Sequence, residues 1–253
     1  MLNFLKVRIS QGRQYVPDLR AATPLGFRGL PVLKEGSCAP GCRECVEACA
    51  TGAISVEPLR LDLGRCVFCE DCVPACGEGR IRFTAGPRMA SGTAEGLVVR
   101  AGATLPPAVE VRRELASCFG RSLKLRSVSA GGCAGCELEL NALGNVNFDL
   151  GRYGIEFVAS PRHADALVLS GPITRNMSAP LQLAWDGMPE PKFVIACGAC
   201  AISGEPFGAS AQLDRAFLGR VPPVLFVPGC PPHPLTFING ILDLLGIDLP
   251  RPR

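Results

Sequence analysis

Beyond residue 120 the apolar residues gather in short runs that end in small or turn-forming residues. LKLRSVS (123–129), IEFVAS (155–160), ALVLSG (166–171), FVIACG (193–198) and VLFVPG (224–229) have the length and β-branched content of buried strands. Between them CELELNAL, APLQLAWDGM and LDRAFLGR can form helices, and LTFINGILDLL makes an amphipathic C-terminal helix. Strands that alternate with helices predict a parallel sheet with helices on its faces. Before residue 100 this alternation is missing, so the chain divides into two halves.

The stretch TAGPRMASGTAEGLVVRAGATLPPAVEV is rich in Gly, Ala, Pro and Ser and reads as a linker. The expected organisation is an N-terminal arm (1–34), a first domain (35–85), a linker (86–115) and a second domain (116–253). In its first 36 residues the chain carries six Lys or Arg against two acids, interleaved with Leu2, Phe4, Leu5, Val7 and Ile9. That pattern suits either a solvated terminus or a basic, apolar arm that docks on a partner or membrane surface.

Cysteine usage changes the picture most. Fourteen cysteines without a secretory signal argue for metal binding over a disulfide framework. Eight of them fall between residues 38 and 76, inside an internal repeat. CRECVEACATGAI (42–54) shifted by 27 residues lands on CEDCVPACGEGRI (69–81). The spacing Cys66-x2-Cys69-x2-Cys72-x3-Cys76 is that of a bacterial ferredoxin, whose fourth cysteine ligates the other cluster. Two copies therefore predict an α+β ferredoxin-like domain with two [4Fe–4S] clusters, one held by Cys38, Cys42, Cys45 and Cys76, the other by Cys66, Cys69, Cys72 and Cys49. Paired zinc knuckles are the rival, but a third cysteine two residues on has no use in a zinc site. The first copy departs by one extra residue in CAPGC, which Pro40-Gly41 could absorb as a turn. Ala50 and Gly77 stand where such runs usually have proline.

The remaining chemistry lies in the second half. Cys133 and Cys136 follow the first predicted strand, Cys200 the fourth and Cys230 the fifth. In a parallel sheet all of these reach one edge, at the carboxyl ends of the strands. Four thiolates there suit a third [4Fe–4S] cluster. Cys197 competes with Cys200, which is favoured because it lies further past its strand. Cys118 reads as a small buried hydrophobe. The glycines beside the cysteines (Gly132, Gly135, Gly198, Gly229) would let backbone N–H groups approach cluster sulfurs.

Composition excludes more than it identifies. Hydrophobic residues make up 47% of the 253 and the net charge is +3, enough for a core and too small for nucleic acid as the main partner. No run approaches the roughly 18 apolar residues of a membrane helix. The longest candidate, Val221 to Leu245, is broken by prolines and His233. MLNFLKVRIS is too short for a secretory signal. The chain is therefore expected to be soluble by itself and cytoplasmic.

FGRSLKLRSVSAGGCAGCELELNAL, YGIEFVASPRHADALVLSGPITRNM, CGACAISG and VPGCPPHPLTFINGILDLL resemble the small subunit of group 4 membrane-bound [NiFe] hydrogenases, formate hydrogenlyase type, and the homologous B-type subunit of NADH:quinone oxidoreductase (complex I). NFLK, PLGFRGLPVL, the cysteine repeat and LGRCVFCEDC are similar to the two-cluster ferredoxin subunit of the same complexes, as if two chains were fused. The resemblance implies an α/β flavodoxin-like domain over 116–253 that binds no flavin and holds one [4Fe–4S] cluster through Cys133, Cys136, Cys200 and Cys230, facing a large subunit. The complex I homologue has two adjacent cysteines at the first of these sites; here Cys133-x-x-Cys136 precedes Glu137, as in the hydrogenases. Gly204-Glu205 stands where many relatives have a glycine pair.

The function this implies is an electron wire of three [4Fe–4S] clusters in an oxidoreductase complex, with the catalytic centre on another chain. Expected partners are a [NiFe] hydrogenase large subunit, or a D-like protein of complex I in a quinone-reducing alternative, with other subunits of a membrane-bound complex. Through them the chain would sit on the inner face of the cell membrane. No catalytic residue is expected in the chain itself. His163 reads as a surface or capping residue. His233 could hydrogen-bond near the third cluster, Glu137 could be a first-turn helix acid or a proton group, and Arg162 and Arg175 could contact the large subunit. A free-standing ferredoxin-type carrier and a zinc-bound interaction module are the other classes considered.

Overall fold

A computed structural model describes residues 2–12, 15–102, 109 and 112–247. In the first half, α1 (Leu2–Gln11) is followed by β1 (Pro31–Leu33), α2 (Glu44–Glu47), β2 (Ile54–Val56), β3 (Leu59–Asp62), α3 (Cys72–Ala75), β4 (Ile81–Phe83) and β5 (Val98–Arg100). The 27-residue repeat is structural as well as sequential: β2 shifted by 27 is β4, and α2 shifted by 27 overlaps α3. Strand β1 pairs antiparallel with β4, and β3 pairs antiparallel with both β2 and β5. Leu33, Leu61, Leu63, Ile81 and Leu97 fill the space between these small sheets, together with Cys45, Cys66 and Cys72.

The second half continues with α4 (Arg113–Phe119), β6 (Leu123–Ser129), α5 (Gly135–Ala142), β7 (Ile155–Phe157), β8 (Ala166–Ser170), α6 (Arg175–Asp186), β9 (Phe193–Cys197), α7 (Ala199–Ser203), α8 (Ala216–Arg220), β10 (Leu225–Val227) and α9 (Pro234–Leu245). Strands β6–β10 form one parallel sheet in the order β10-β9-β8-β6-β7. This is the doubly wound order 2-1-3-4-5, whose switch point lies between β6 and β8. Strands β8 and β9 are buried at every position, which is why they read as unbroken apolar runs. Alternate residues point to opposite layers. Leu125, Val168, Ile195 and Val227 face α9, and Leu167, Leu169, Val194 and Ala196 face Leu181 of α6 and Phe217 of α8. Helix α9 buries all but one of its residues, so it is a core helix and not a surface one.

The segments outside the two domains are partly built into them. Among the described residues α1 stands off, with Phe4 73% and Ile9 82% exposed. From Tyr15 onward the expected arm runs along the protein: Leu19 is buried, its carbonyl accepts from Asn239 Nδ2 at 2.8 Å, and Arg20 pairs with Asp243. Within the expected linker, Ser91 exchanges both backbone hydrogen bonds with Phe226 beside β10, and β5 completes a sheet. The run LVVR supplies β5, and its short apolar pattern is hard to see among so many Gly and Ala. Residues 103–108, 110 and 111 of that linker lie outside the described residues. Ile202 and Phe226 each pack against both the first-half core and the α6 face of the sheet, so the halves share an apolar seam.

Candidate metal centres

The cysteine repeat closes on itself in space. Burial raises the pKa of Cys45, and the neighbouring sulfurs of Cys76, Cys38 and Cys42 raise it further. Burial pushes Cys66 up to about 12, against the pull of the Phe68 N–H, with Cys72, Cys49 and Cys69 adding to the rise. Cys72 is likewise pushed up to about 12, by burial first and then by Cys49 and Cys69. The neighbours of Cys45 are the other members of the expected set Cys38/Cys42/Cys45/Cys76, those of Cys66 are the other members of Cys66/Cys69/Cys72/Cys49, and Cys72 also feels Cys45 of the first set. Thiolates crowded away from water repel one another and stay protonated unless a cation compensates them. Such a donor set suits a metal–sulfur group, and the backbone is arranged for one. Ala53 N–H donates to Cys49 Sγ at 3.2 Å, Arg80 N–H to Cys76 Sγ at 3.4 Å and Phe68 N–H to Cys66 Sγ at 3.4 Å. Phe68 and Glu70 take positive φ values of 57° and 69° to turn the Cys66–Cys72 loop around its centre.

The extra residue of CAPGC is absorbed in a tight turn. Cys42 N–H donates to the Ala39 carbonyl at 3.0 Å across Pro40-Gly41, and Gly41 has φ +77°. Proline then glycine with positive φ is the sequence demanded by a type II turn. Cys38 is then met by Arg80, whose Nη1 donates to Cys38 Sγ at 3.0 Å.

The third set assembles at the carboxyl edge of the parallel sheet, as the strand pattern requires. Cys133 precedes α5, Cys136 lies in its first turn, Cys200 lies in α7 after β9, and Cys230 follows β10. Cys200 is pushed up to about 11 by burial, then by Cys230, Cys136 and Cys133. Cys197 ends β9, is 1% exposed and points into the α9 layer. The neighbouring Cys136 and burial raise the pKa of Cys197 well above its usual value, while Cys197 lowers that of Cys136. Gly198, at φ +92°, has no room for a side chain, since a Cβ there would meet Cys136 Sγ at 2.7 Å. Burial opposes ionisation of Glu137, yet hydrogen bonds from Ser129, Ser170 and its own backbone outweigh it and hold the carboxylate below its usual range. Among the described residues no three Cys, His, Asp or Glu side chains close around a single ion.

A cavity of about 370 Å³ lies between the second and third sets and is lined by both Cys69 and Cys230, with Phe27, Arg28 and His233. The Phe27 and His233 ring centroids are 4.8 Å apart, and Phe148 meets His233 edge-on at 5.9 Å. His233 Nδ1 accepts from Leu235 N–H at 3.1 Å, capping α9, and burial lowers the pKa of the ring. Arg28 donates to the Phe68 carbonyl at 3.2 Å and pairs with Glu70, tying the N-terminal segment to the Cys66–Cys72 loop.

Residues 133–244 match the family described as NADH ubiquinone oxidoreductase, 20 Kd subunit. The "Probable membrane-bound hydrogenase subunit mbhJ" of Pyrococcus furiosus is 40% identical over 130 residues, which are 51% of this chain and 77% of that protein. The chain belongs to this family. The B subunit of the NADH-quinone oxidoreductase of Clostridium beijerinckii is 43% identical over 114 residues (45% of this chain, 68% of that protein). Formate hydrogenlyase subunit 7 of Escherichia coli is 36% identical over 162 residues, or 64% of this chain and 62% of that protein. The 20 Kd subunit family covers the whole third set, from Cys133 to Cys230, and leaves the cysteine repeat outside its match.

Within this 20 Kd subunit family fold, one expectation needs correction. Cys118 is exposed on α4 and is not a buried hydrophobe, because its neighbour Phe119 takes the inward position. His163, Arg162 and Arg175 are all exposed. Sequence reasoning passed over Arg80, Phe27, Ser129 and Ser170. Only Arg80 left a signal there: it breaks the repeat, standing where the first copy has Ala53.

Proposed function

We propose that the chain is the iron–sulfur electron-transfer subunit of a membrane-associated [NiFe] hydrogenase complex. It would hold three [4Fe–4S] clusters, two in a ferredoxin-like first half and one at the sheet edge of the second. The observation that carries this reading is that cysteines from separate stretches of chain lie close enough to raise one another's pKa values, around Cys45, Cys66 and Cys200. A [4Fe–4S] cluster moves one electron at a time without making or breaking substrate bonds. The protein's part is to hold each set, exclude water from Cys45, Cys66 and Cys72, and direct N–H groups at Cys49, Cys66 and Cys76. The second set would neighbour the third through the cavity that Cys69 and Cys230 share, which leaves the first set as the distal end of the wire. Cys133 and Cys230 are exposed, so the third centre would be covered where the carboxyl edge meets a large subunit.

The family relatives carry both hydrogenase and quinone oxidoreductase names. The Cys133-x-x-Cys136 spacing followed by Glu137 favours the hydrogenase branch, and a role in a complex I-like ferredoxin or NADH:quinone oxidoreductase is the alternative. No helix among the described residues is long and apolar enough to cross a membrane, so membrane association would come through partner subunits. The test is anaerobic purification with counts of iron, acid-labile sulfide and zinc per chain. Three clusters give about 12 iron and about 12 sulfide. Zinc with no sulfide would replace the electron relay with a structural module. A co-purifying large subunit that carries nickel would select the hydrogenase branch, and one without nickel the quinone branch.

A further inference from the structure

The two halves of the cysteine repeat are not electrically equivalent. In each copy the residue four beyond the last cysteine donates its N–H to that cysteine's sulfur, Ala53 to Cys49 and Arg80 to Cys76. The backbones therefore match, and the side chains differ. Arg80 is 5% exposed. Its Nη1 lies 3.0 Å from Cys38 Sγ, and its Nη2 donates to the carbonyls of Lys34 (2.8 Å) and Gly36 (2.5 Å). Its Nε has no hydrogen-bond partner. No carboxylate lies within ion-pair distance of Arg80 among the described residues, so its charge is not cancelled there. The cations beside the second set are cancelled: Arg28 pairs with Glu70 and Arg65 with Glu205. Around the first set Lys34, Glu35, Arg43, Glu44 and Glu47 are exposed and face water, which screens them.

Resting on the relay reading above, we infer that Arg80 is a positioning and potential-setting residue. Its buried guanidinium fixes the Cys38 end of the CAPGC loop and makes the first set's cluster the higher-potential one of the two in the first half. The reason is electrostatic. One-electron reduction adds a negative charge to the centre, and an uncancelled buried cation bonded to a ligand sulfur stabilises that added charge. The second set has only Ala53 at the equivalent position. The distal end of the wire is thereby the site where an electron rests.

The test is a mediated redox titration, read by electron paramagnetic resonance on the anaerobically purified full-length chain, with iron counted for every variant. Cys42→Ala is expected to remove the higher-potential of the two first-half signals, and Cys69→Ala the lower. Arg80→Gln is expected to lower the midpoint of the signal that Cys42→Ala removes, leaving the other two in place. A tenfold change in the one-electron equilibrium constant corresponds to about 59 mV, and a shift of that order is expected. Arg80→Lys should recover most of it. An Arg80→Gln protein that keeps its iron with an unmoved midpoint would overturn the inference, as would the reverse order in the two cysteine variants. If Arg80→Gln sheds iron, the order in the cysteine variants decides. A parent chain without iron–sulfur signals would sink the relay reading itself, and the iron count separates that failure from the first.

Discussion

At the scale of single residues the third centre shows how closely neighbouring cysteines can differ. Cys197 and Cys200 are three residues apart, yet one closes a strand inside the core and the other lies in the helix beyond it. Cys200→Ser is expected to lose about four iron per chain. Cys197→Ala should keep its iron and lose stability on the order of 1 kcal/mol, the usual scale for a small deletion in a packed core. Denaturant unfolding alongside the iron assay separates the two. His233 offers a second residue-scale prediction. Its pKa is lowered by burial from the ordinary 6.5, so the folded protein holds this proton less readily than the unfolded chain. By linkage the contribution is fully present above pH 6.5 and is lost as pH falls from there through the folded value. His233→Gln should flatten that slope between pH 6.5 and 5, with little change at pH 8. An unaltered slope would show that other groups set it.

At the scale of elements, α9 and the turns at the sheet edge carry most of the burden. Phe237 is 1% exposed between α9 and the sheet, where it stacks with Phe157 at 6.4 Å. Phe237→Ala is expected to cost about 3–5 kcal/mol through lost burial and the cavity left behind, read as a lowered Tm. Gly198→Ala is expected to act differently. The turn between β9 and α7 must keep φ positive and leave room for Cys136 Sγ, so the variant should lose iron at the third centre while the sheet stays folded, as far-ultraviolet circular dichroism would show. Unchanged iron in that variant would mean that the turn can move without disturbing the set.

At the scale of the whole molecule the two halves behave as one packed body. The Arg65–Glu205 pair joins them at 2.9 Å, but it is partly exposed and contributes at most about 1 kcal/mol. The apolar seam at Ile202 and Phe226 and the Ser91–Phe226 backbone pair matter more. One calorimetric unfolding transition is therefore expected for the parent chain. Ile202→Asp, which places a carboxylate in the seam, is expected to split it into two. A single transition in the variant would show that the seam does not couple the halves.

The spacing of the cysteines was enough to predict the first two sets, because ligands two or three residues apart are held together by local backbone geometry whatever surrounds them. The five strands of the parallel sheet were equally legible: β8 and β9, buried at every position, are unbroken apolar runs, and β6 and β10 keep Leu or Val at their buried positions. From those strands followed the carboxyl edge where Cys133, Cys136, Cys200 and Cys230 meet, and Pro40-Gly41 announced the turn that takes up the extra residue. Tertiary structure alone decided the rest. Cys197 came to lie beside Cys136 only through the register of β9 against its neighbours. Arg80 reaches Cys38 across 42 residues, Phe27 reaches His233, and Ser91 finds Phe226, and none of these pairs has a periodicity that could reveal it. Local patterns fix what each segment becomes. Which distant side chains share a buried space is set by how the segments pack, and in this protein the charge beside the first set of cysteines is fixed at that level.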